Sequence, residues 1–234
     1  NWEQVFGADQ PLTAGDIPIM ENALCRCVFE PATGRFDVQA WTGSAWVMDA
    51  TVAPLGAVFS TWGAAVVEWT PERGVLILTA RADSGTRAQM FVTLQRGWSG
   101  PRVDYYLASV SGTRLADVAV YARSAGDATL QRSSGTVAIV TGASLGTFAA
   151  LAPWALLLGP GTDRAIHLAV LQAGLELIGS TFNSREGVIA RADSYVSLWV
   201  GLGDRATGAA DAAAHGERGL YDCRSVPELV GRAI

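Results

Sequence analysis

The sharpest candidate for chemistry in the sequence is a serine held between two glycines. Residues 142–146 read Gly-Ala-Ser-Leu-Gly, a Gly-x-Ser-x-Gly pattern that can expose a nucleophilic serine on a sharp strand-to-helix turn. Strand-forming residues precede it, and Asp193 and His215 follow in the order of a Ser-Asp-His triad. In such a triad Ser144 would attack a carbonyl carbon, His215 would take its proton and Asp193 would orient the imidazole. A serine hydrolase is therefore one alternative function.

Features of the surrounding sequence argue against this triad. Residues 17–141 show no helical periodicity, whereas the fold that carries such a serine alternates strands with helices. Pro153 interrupts the helix that would follow the serine, and no oxyanion loop is evident upstream. Short Gly and Ser patterns are also frequent in a chain with 26 glycines. We therefore interpret Gly142–Gly146 as a hairpin turn between strands at 137–141 and 147–151, and we predict no catalytic residues.

The same stretch resembles the T-G-x-x-x-G-x-G opening of the short-chain dehydrogenases. Thr141, Gly142 and Gly146 fit that pattern, but Phe148 stands where the last glycine allows close packing of the helix on the cofactor. The catalytic Tyr-x-x-x-Lys of that family cannot exist here, because the chain contains no lysine. We predict that the protein uses no cofactor.

Cysteine and histidine are too few to indicate a metal site. The chain has three cysteines and two histidines, whereas a zinc site needs about four ligands close together. Cys25 and Cys27 lie two apart, so on a strand they share one face. The sequence favours free buried thiols, with one disulfide to Cys223 as the alternative.

Paired carboxylates offer a second enzymatic alternative, a carbohydrate-active β-sandwich. Glu68 with Glu72, or Asp37 with Asp49, could meet in space as the two carboxylates of glycoside hydrolysis. No tight acidic motif lies on one strand, and we interpret these residues as solvated turn and edge charges. The prediction is therefore a protein that is not an enzyme.

Strands separated by turns organise most of the chain. Turn signals recur about every 8–12 residues up to residue 141, a spacing typical of a sandwich or barrel. The run Arg35 to Trp41 alternates polar and apolar residues, as a half-buried antiparallel strand does. The run Arg87 to Val110 reads as two strands joined by a turn at 97–101 that contains two glycines and a proline. The order of the strands in space is not readable from these signals.

The predicted fold is all-β: an antiparallel β-sandwich of jelly-roll or lectin-like type with a short C-terminal helix and an extended tail. We divide the chain into an N-terminal arm at 1–16, the sandwich domain at 17–203, and the helix and tail at 204–234. Asp204 can cap a helix of roughly Arg205 to Glu217 that Gly216 and Gly219 would end. The start at Asn1, without methionine, suggests a processed product or a segment of a longer chain.

Composition and charge restrict the partners. The net charge of −5 argues against nucleic acid, whose phosphates need clustered positive charge. Hydrophobic residues make up 50% and charged residues 17%, so the core is large or some apolar surface is buried by another protein. The longest strongly apolar run, at 148–158, is too short to span a bilayer. Homo-oligomerisation is expected.

Tryptophan near turns gives the candidate ligand site. The chain has eight tryptophans, and Trp41, Trp46 and Trp98 lie at or near predicted turns. Exposed aromatic rings there could stack on sugars, while neighbouring polar side chains bond hydroxyls; burial in a core or subunit contact is the competing interpretation. The predicted ligand-binding set joins one tryptophan to its polar neighbours: Trp98, Arg96, Arg102 and Asp104.

One hairpin also carries a resemblance to a family. The segment Phe91 to Leu107, FVTLQRGWSGPRVDYYL, resembles the strand-(R-G-W-x-G-P-R)-strand hairpin of minor tail proteins of long-tailed actinobacterial phages. All 17 basic residues are arginine, and this composition is similar to that of such hosts.

The resemblance implies a non-enzymatic structural subunit of the phage tail tip, with attachment to a host-surface glycan as a further role. Its partners would be other virion tail proteins and copies of itself. It would be made in the host cytoplasm and located in the virion tail. No catalytic residues carry over from it.

Overall fold

The structure, a computed structural model, describes residues 17–30, 32–55, 59, 62–82, 85–108, 115–125, 128–132, 134–147, 154–159, 163–172 and 174–222. The arm predicted at 1–16, the tail from 223 onward and Cys223 lie outside these residues.

Seventeen strands and one helix occupy the described residues. In chain order they are β1 (Ile19–Glu21), β2 (Cys25–Glu30), β3 (Arg35–Trp41), β4 (Trp46–Leu55), β5 (Trp62–Trp69), β6 (Arg73–Arg81), β7 (Arg87–Gln95), β8 (Arg102–Ala108), β9 (Leu115–Ala125), β10 (Thr129–Arg132), β11 (Gly135–Ala138), β12 (Ser144–Thr147), β13 (Trp154–Leu158), β14 (Arg164–Val170), β15 (Glu176–Phe182), β16 (Arg185–Asp193), β17 (Tyr195–Asp204) and α1 (Arg205–Asp222).

The strands form two antiparallel sheets, which confirms the predicted β-sandwich with a C-terminal helix. The eight-stranded sheet has the spatial order β1-β2-β3-β4-β9-β16-β15-β12, and the nine-stranded sheet has the order β11-β10-β13-β14-β17-β8-β7-β6-β5. The hydrophobic core lies between the two sheets. It forms because alternate residues of a strand point inward. On β3, for example, Phe36, Val38 and Ala40 are buried, while Asp37 and Gln39 lie on the outer face.

Short-range predictions of hairpins are confirmed where the turn is local. The turn residues Thr42-Gly43-Ser44 predict that 45–51 pairs back on the strand at 35–41, and β3 and β4 do pair, up to Trp41 opposite Trp46. Strand β7 pairs with β8 through the turn predicted at 97–101. The hairpin turn predicted at Gly142–Gly146 was wrong, because Ser144 begins a strand; residues 148–151 of the predicted partner strand lie outside the described residues. β11 pairs with β10 in the nine-stranded sheet and β12 pairs with β15 in the eight-stranded sheet, so the turn at Gly142 carries the chain between the layers.

The turn between β7 and β8 packs against β17. The Val200 amide donates to the Pro101 carbonyl at 2.9 Å, and the Trp199 indole nitrogen donates to the Gly100 carbonyl at 2.8 Å. Gly100 is buried, and a Cβ there would overlap the backbone of Val200 and Gly201. The turn thus depends on a residue without a side chain for its close approach to the strand.

Helix α1 packs on β13, β14 and β17, on the outer face of the nine-stranded sheet. His167 is 1% exposed, and its Nδ1 lies 3.1 Å from Asp211 Oδ2, which also accepts a hydrogen bond from the Ser99 hydroxyl at 3.0 Å. A carboxylate can only accept, so Nδ1 carries the proton. His215 stacks on Trp199 with ring centroids 3.8 Å apart. These contacts hold the helix to the sheet.

The helix begins as predicted but ends later. It runs to Asp222, so the prediction that Gly216 and Gly219 end it was wrong. A glycine inside a helix costs about 1 kcal/mol relative to alanine but keeps its backbone hydrogen bond, so it weakens a helix without stopping it.

Acid is expected to weaken the contact between α1 and the sheet. The hydrogen bond from His167, with smaller contributions from Ser99 and His215, lowers the pKa of Asp211, although burial opposes the shift. Because the folded-state pKa lies below the unfolded value of about 3.9, the carboxylate stabilises the fold above roughly pH 4. This stabilisation is lost as the pH falls through the folded-state pKa.

Urea unfolding of the wild type and of Asp211→Asn, followed across this pH range, measures the effect. The difference in unfolding free energy should be constant near neutral pH and should shrink in acid. A difference that stays constant into strong acid would show that the charge of Asp211 contributes nothing.

Candidate ligand groove

A groove of about 520 Å³ lies on the outer face of the eight-stranded sheet. Its floor is a row of outward side chains on neighbouring strands: Val28 on β2, Asp37 on β3 and Thr51 on β4 are consecutive register partners. Tyr121 on β9 continues the row as the partner of Thr51. The lining comprises Ile17, Val28, Phe29, Glu30, Ala32, Arg35, Phe36, Asp37, Met48, Thr51, Phe182, Asn183 and Arg185.

The β15–β16 hairpin forms one wall of the groove. Its turn is Asn183-Ser184, with φ of 49° and 62°, and the flanking pair is Phe182 opposite Arg185. Two consecutive residues with positive φ are the mark of a tight two-residue hairpin turn that follows the twist of the strands. This turn places Phe182, Asn183 and Arg185 together at the groove.

An exposed aromatic ring rests on a fixed partner in this wall. The Phe182 side chain is 41% exposed, and its ring centroid lies 5.4 Å from that of Tyr121, which is buried. The Tyr121 hydroxyl lies 3.2 Å from Ser180 Oγ, and this hydrogen bond fixes its ring. The Phe182 ring is therefore an apolar surface that is already held in place.

Polar side chains stand around this ring. Asp37 Oδ1 accepts a hydrogen bond of 2.7 Å from the Thr51 hydroxyl, and Arg35 forms an ion pair with Glu30. The side chains of Asn183 and Arg185 have no hydrogen-bond or ion-pair partner among the described residues. Both are therefore available to an incoming polar ligand, and they are the groups a groove needs to orient one.

Comparison with known proteins gives a likeness of fold. A scan against protein-family models and a search of the curated proteins found no match. Among solved structures, a quadruple mutant of the α-N-acetylgalactosaminidase NagBb from Bifidobacterium bifidum aligns with a TM-score of 0.57 and 14% identity, over 87% of this chain and 39% of that chain. The chain shares the fold of the aligned part of that enzyme.

A GalNAc complex of NagBb aligns with a TM-score of 0.53 and 12% identity, over 80% of this chain and 36% of that chain. The present chain thus spans less than half the length of the enzyme that it matches. At this level of identity the likeness concerns the β-sandwich alone.

The structure brings together two of the four residues predicted to bind a ligand. Arg102 Nε donates to Asp104 Oδ2 at 2.7 Å, and the pair is only 8% and 5% exposed. The Tyr195 hydroxyl and the Ser197 hydroxyl donate to Asp104 Oδ1 at 2.9 and 2.5 Å. Burial, and next the charge of Asp104, raise the pKa of Tyr195, so its phenol stays protonated as a donor. These contacts make the pair part of a buried network on the nine-stranded sheet.

The other two residues of that set point elsewhere. Arg96 is largely exposed and forms an ion pair of 3.2 Å with Glu72. Trp98 is half-buried, and its ring lies edge-on to His215 with centroids 5.3 Å apart. The ligand role of this set remains a prediction, and the contacts of Trp98 are those of a residue that packs against α1.

The structure does not assemble the candidate triad. Ser144 begins β12, an edge strand of the eight-stranded sheet, whereas His215 stacks on Trp199 outside the nine-stranded sheet. The two side chains therefore lie on opposite layers of the sandwich.

Cys27 offers no alternative nucleophile, because burial and the neighbouring Cys25 raise the pKa of its thiol. Both cysteines are free and buried.

Two of the carboxylates considered for glycoside hydrolysis form ion pairs with arginine side chains of the protein. Glu68 forms an ion pair with Arg73, and Glu72 forms one with Arg96. Asp37 lies in the groove, but the side chain of Asp49 is outside the described part of the molecule.

Among the described residues, no group of three or more His, Cys, Asp or Glu side chains could hold a metal ion. No described helix is long and apolar enough to cross a membrane.

The sequence did not indicate the groove. Its row continues from β2, β3 and β4 to β9, which is distant in sequence and which only the strand order brings beside β4. The β15–β16 hairpin was missed because its turn has neither glycine nor proline. The available signal was Asn183-Ser184 between Leu177-Ile178 and Val188-Ile189, since asparagine tolerates positive φ better than most residues.

Proposed function

We propose that this chain is a carbohydrate-binding β-sandwich module that holds a glycan in the groove of the eight-stranded sheet. The observation that carries the proposal is the exposed Phe182 ring, which is fixed on Tyr121 and stands beside Asn183 and Arg185, two polar side chains without a partner among the described residues. A sugar has one apolar face and a rim of hydroxyls, so it matches an aromatic ring with donors and acceptors beside it.

The polar residues supply complementary chemistry. Asp37 accepts hydrogen bonds from hydroxyls, Arg185 donates to ring or acetyl oxygens, and Asn183 does both. The named ligand of the NagBb structure makes GalNAc the first sugar to test. The sequence likeness to that enzyme is too low to transfer its activity, and we propose binding without catalysis.

Replacing Phe182 by alanine should weaken glycan binding strongly. Aromatic residues at the centre of a binding site cost about 2 kcal/mol or more when truncated, roughly a thirtyfold loss of affinity. Calorimetric titration with GalNAc, after a microarray screen for glycans, measures the change.

Val67→Ala is the matched control, because Val67 is an exposed apolar residue on β5 of the other sheet. It should bind like the wild type. A protein that retains no glycan, or a Phe182→Ala variant that binds unchanged, would overturn the proposal.

The phage-tail role expected from the Phe91–Leu107 hairpin stays a prediction. Glycan binding would suit attachment to a host surface. Sedimentation of the purified chain tests the expected self-association independently of any glycan.

A further inference from the structure

A second aromatic site lies on the same outer face as the groove. Trp41 ends β3 and Trp46 begins β4, with ring centroids 5.3 Å apart. The Arg26 guanidinium lies 4.4 Å from the centre of the Trp46 ring and is held by Glu21 at 2.5 Å. We call Trp41, Trp46 and Arg26 the tryptophan patch.

The tryptophan patch continues the groove along the strands. On β3 the outward residues Asp37, Gln39 and Trp41 follow one another, and consecutive ones lie about 6.6 Å apart. Asp37 lines the groove and Trp41 belongs to the patch, so roughly 13 Å along β3 separates these two residues. The space between is bridged by Gln39, whose register partner Met48 also lines the groove.

The patch is ordered before any ligand arrives. Arg26 stacks on one face of Trp46, and the ion pair with Glu21 keeps the guanidinium there. Trp41 remains 42% exposed although it packs against Trp46. Large apolar rings exposed on a surface commonly mark contact with a partner, and a ring that is already fixed loses little entropy on binding.

We propose that the ligand is an extended oligosaccharide that crosses the groove from Phe182 to Asp37 and then runs along β3 to the tryptophan patch. This proposal rests on the proposed function and specifies the class of glycan. Two aromatic surfaces with polar side chains between them suit a chain of linked sugars, because each ring stacks one sugar and the hydroxyls of intervening sugars face Asp37 and Gln39. A single sugar could reach only one of the two rings.

The number of linked sugars in the ligand is the variable that tests the inference. The probe is a microarray of hexose, N-acetylhexosamine and uronic-acid chains, each printed from monosaccharide to hexasaccharide. For the type of sugar chain that the protein binds, affinity should rise with the number of sugars until the oligosaccharide covers both aromatic rings. Trp41→Ala should reduce affinity for the hexasaccharide about tenfold and leave the monosaccharide unchanged, whereas Phe182→Ala should reduce both.

Val67→Ala again controls for the loss of an exposed apolar side chain, and thermal unfolding confirms that each variant folds. If affinity does not depend on length, or Trp41→Ala leaves the hexasaccharide unaffected, the inference is wrong and the proposed function stands. If no chain is retained at any length, both are wrong.

Discussion

Asp104→Ala should lower the free energy of unfolding by about 3–5 kcal/mol, a large fraction of the stability of a typical domain. The carboxylate is 5% exposed, and it accepts hydrogen bonds from Arg102, Tyr195 and Ser197. Its removal takes a carboxylate away from the buried Arg102 guanidinium. It also takes the shared acceptor away from the hydroxyls of Tyr195, which is half-buried, and Ser197, which is buried. The loss of these partners costs more than the loss of a contact alone.

The matched control is Glu72, which lies in the turn between β5 and β6. Glu72 forms an ion pair with Arg96 at 3.2 Å, but both side chains are 71% exposed. Glu72→Ala should therefore cost only about 0–1 kcal/mol. Urea denaturation of the two variants measures the contrast, and equal losses would mean that the network around Asp104 does not contribute to stability.

Gly100→Ala should be the second strongly destabilising change, at about 3 kcal/mol. A methyl group at this buried position overlaps the backbone of Val200 and Gly201, so relief requires movement of β17 or of the turn. Such movement would break the hydrogen bonds that the turn makes with Trp199 and Val200. Overlap with backbone is costly because no side chain can rotate away.

Gly63→Ala is the control for Gly100→Ala, because there is room for a methyl group at Gly63. Gly63 lies on β5, and the nearest atom to an added Cβ is the Thr79 hydroxyl oxygen at 3.4 Å. Thermal unfolding should show little change for this variant and a lower melting temperature for Gly100→Ala. A Gly100→Ala variant as stable as the wild type would show that the turn does not approach the strand so closely.

The elements that the sequence predicted well are those that local signals determine. Alternation over 35–41 places Phe36 and Val38 in the core because the period of a strand is two. The turns at 42–45 and 96–101 join strands that are neighbours in sequence, so short-range chemistry fixes their pairing. The helix after Asp204 begins where alanine-rich sequence replaces the strand pattern.

The predictions that failed depended on contacts between distant parts of the chain. The glycines around Ser144 give a turn, but pairing with β15 takes the next strand into the other sheet. The end of the helix also escaped local signals, because glycines at 216 and 219 do not stop it before Asp222. The groove that we propose as the site joins Asp37 to Phe182, and no local pattern could place these residues together.

The β15–β16 hairpin separates the residues that line the groove from those that support the fold. Leu177 and Val188 anchor the hairpin in the core, while Phe182, Asn183 and Arg185 project from its end. Substitutions among the projecting residues leave the anchors untouched. Related chains could therefore acquire different sugar preferences through a handful of codon changes, with selection acting on the tip and the scaffold inherited unaltered.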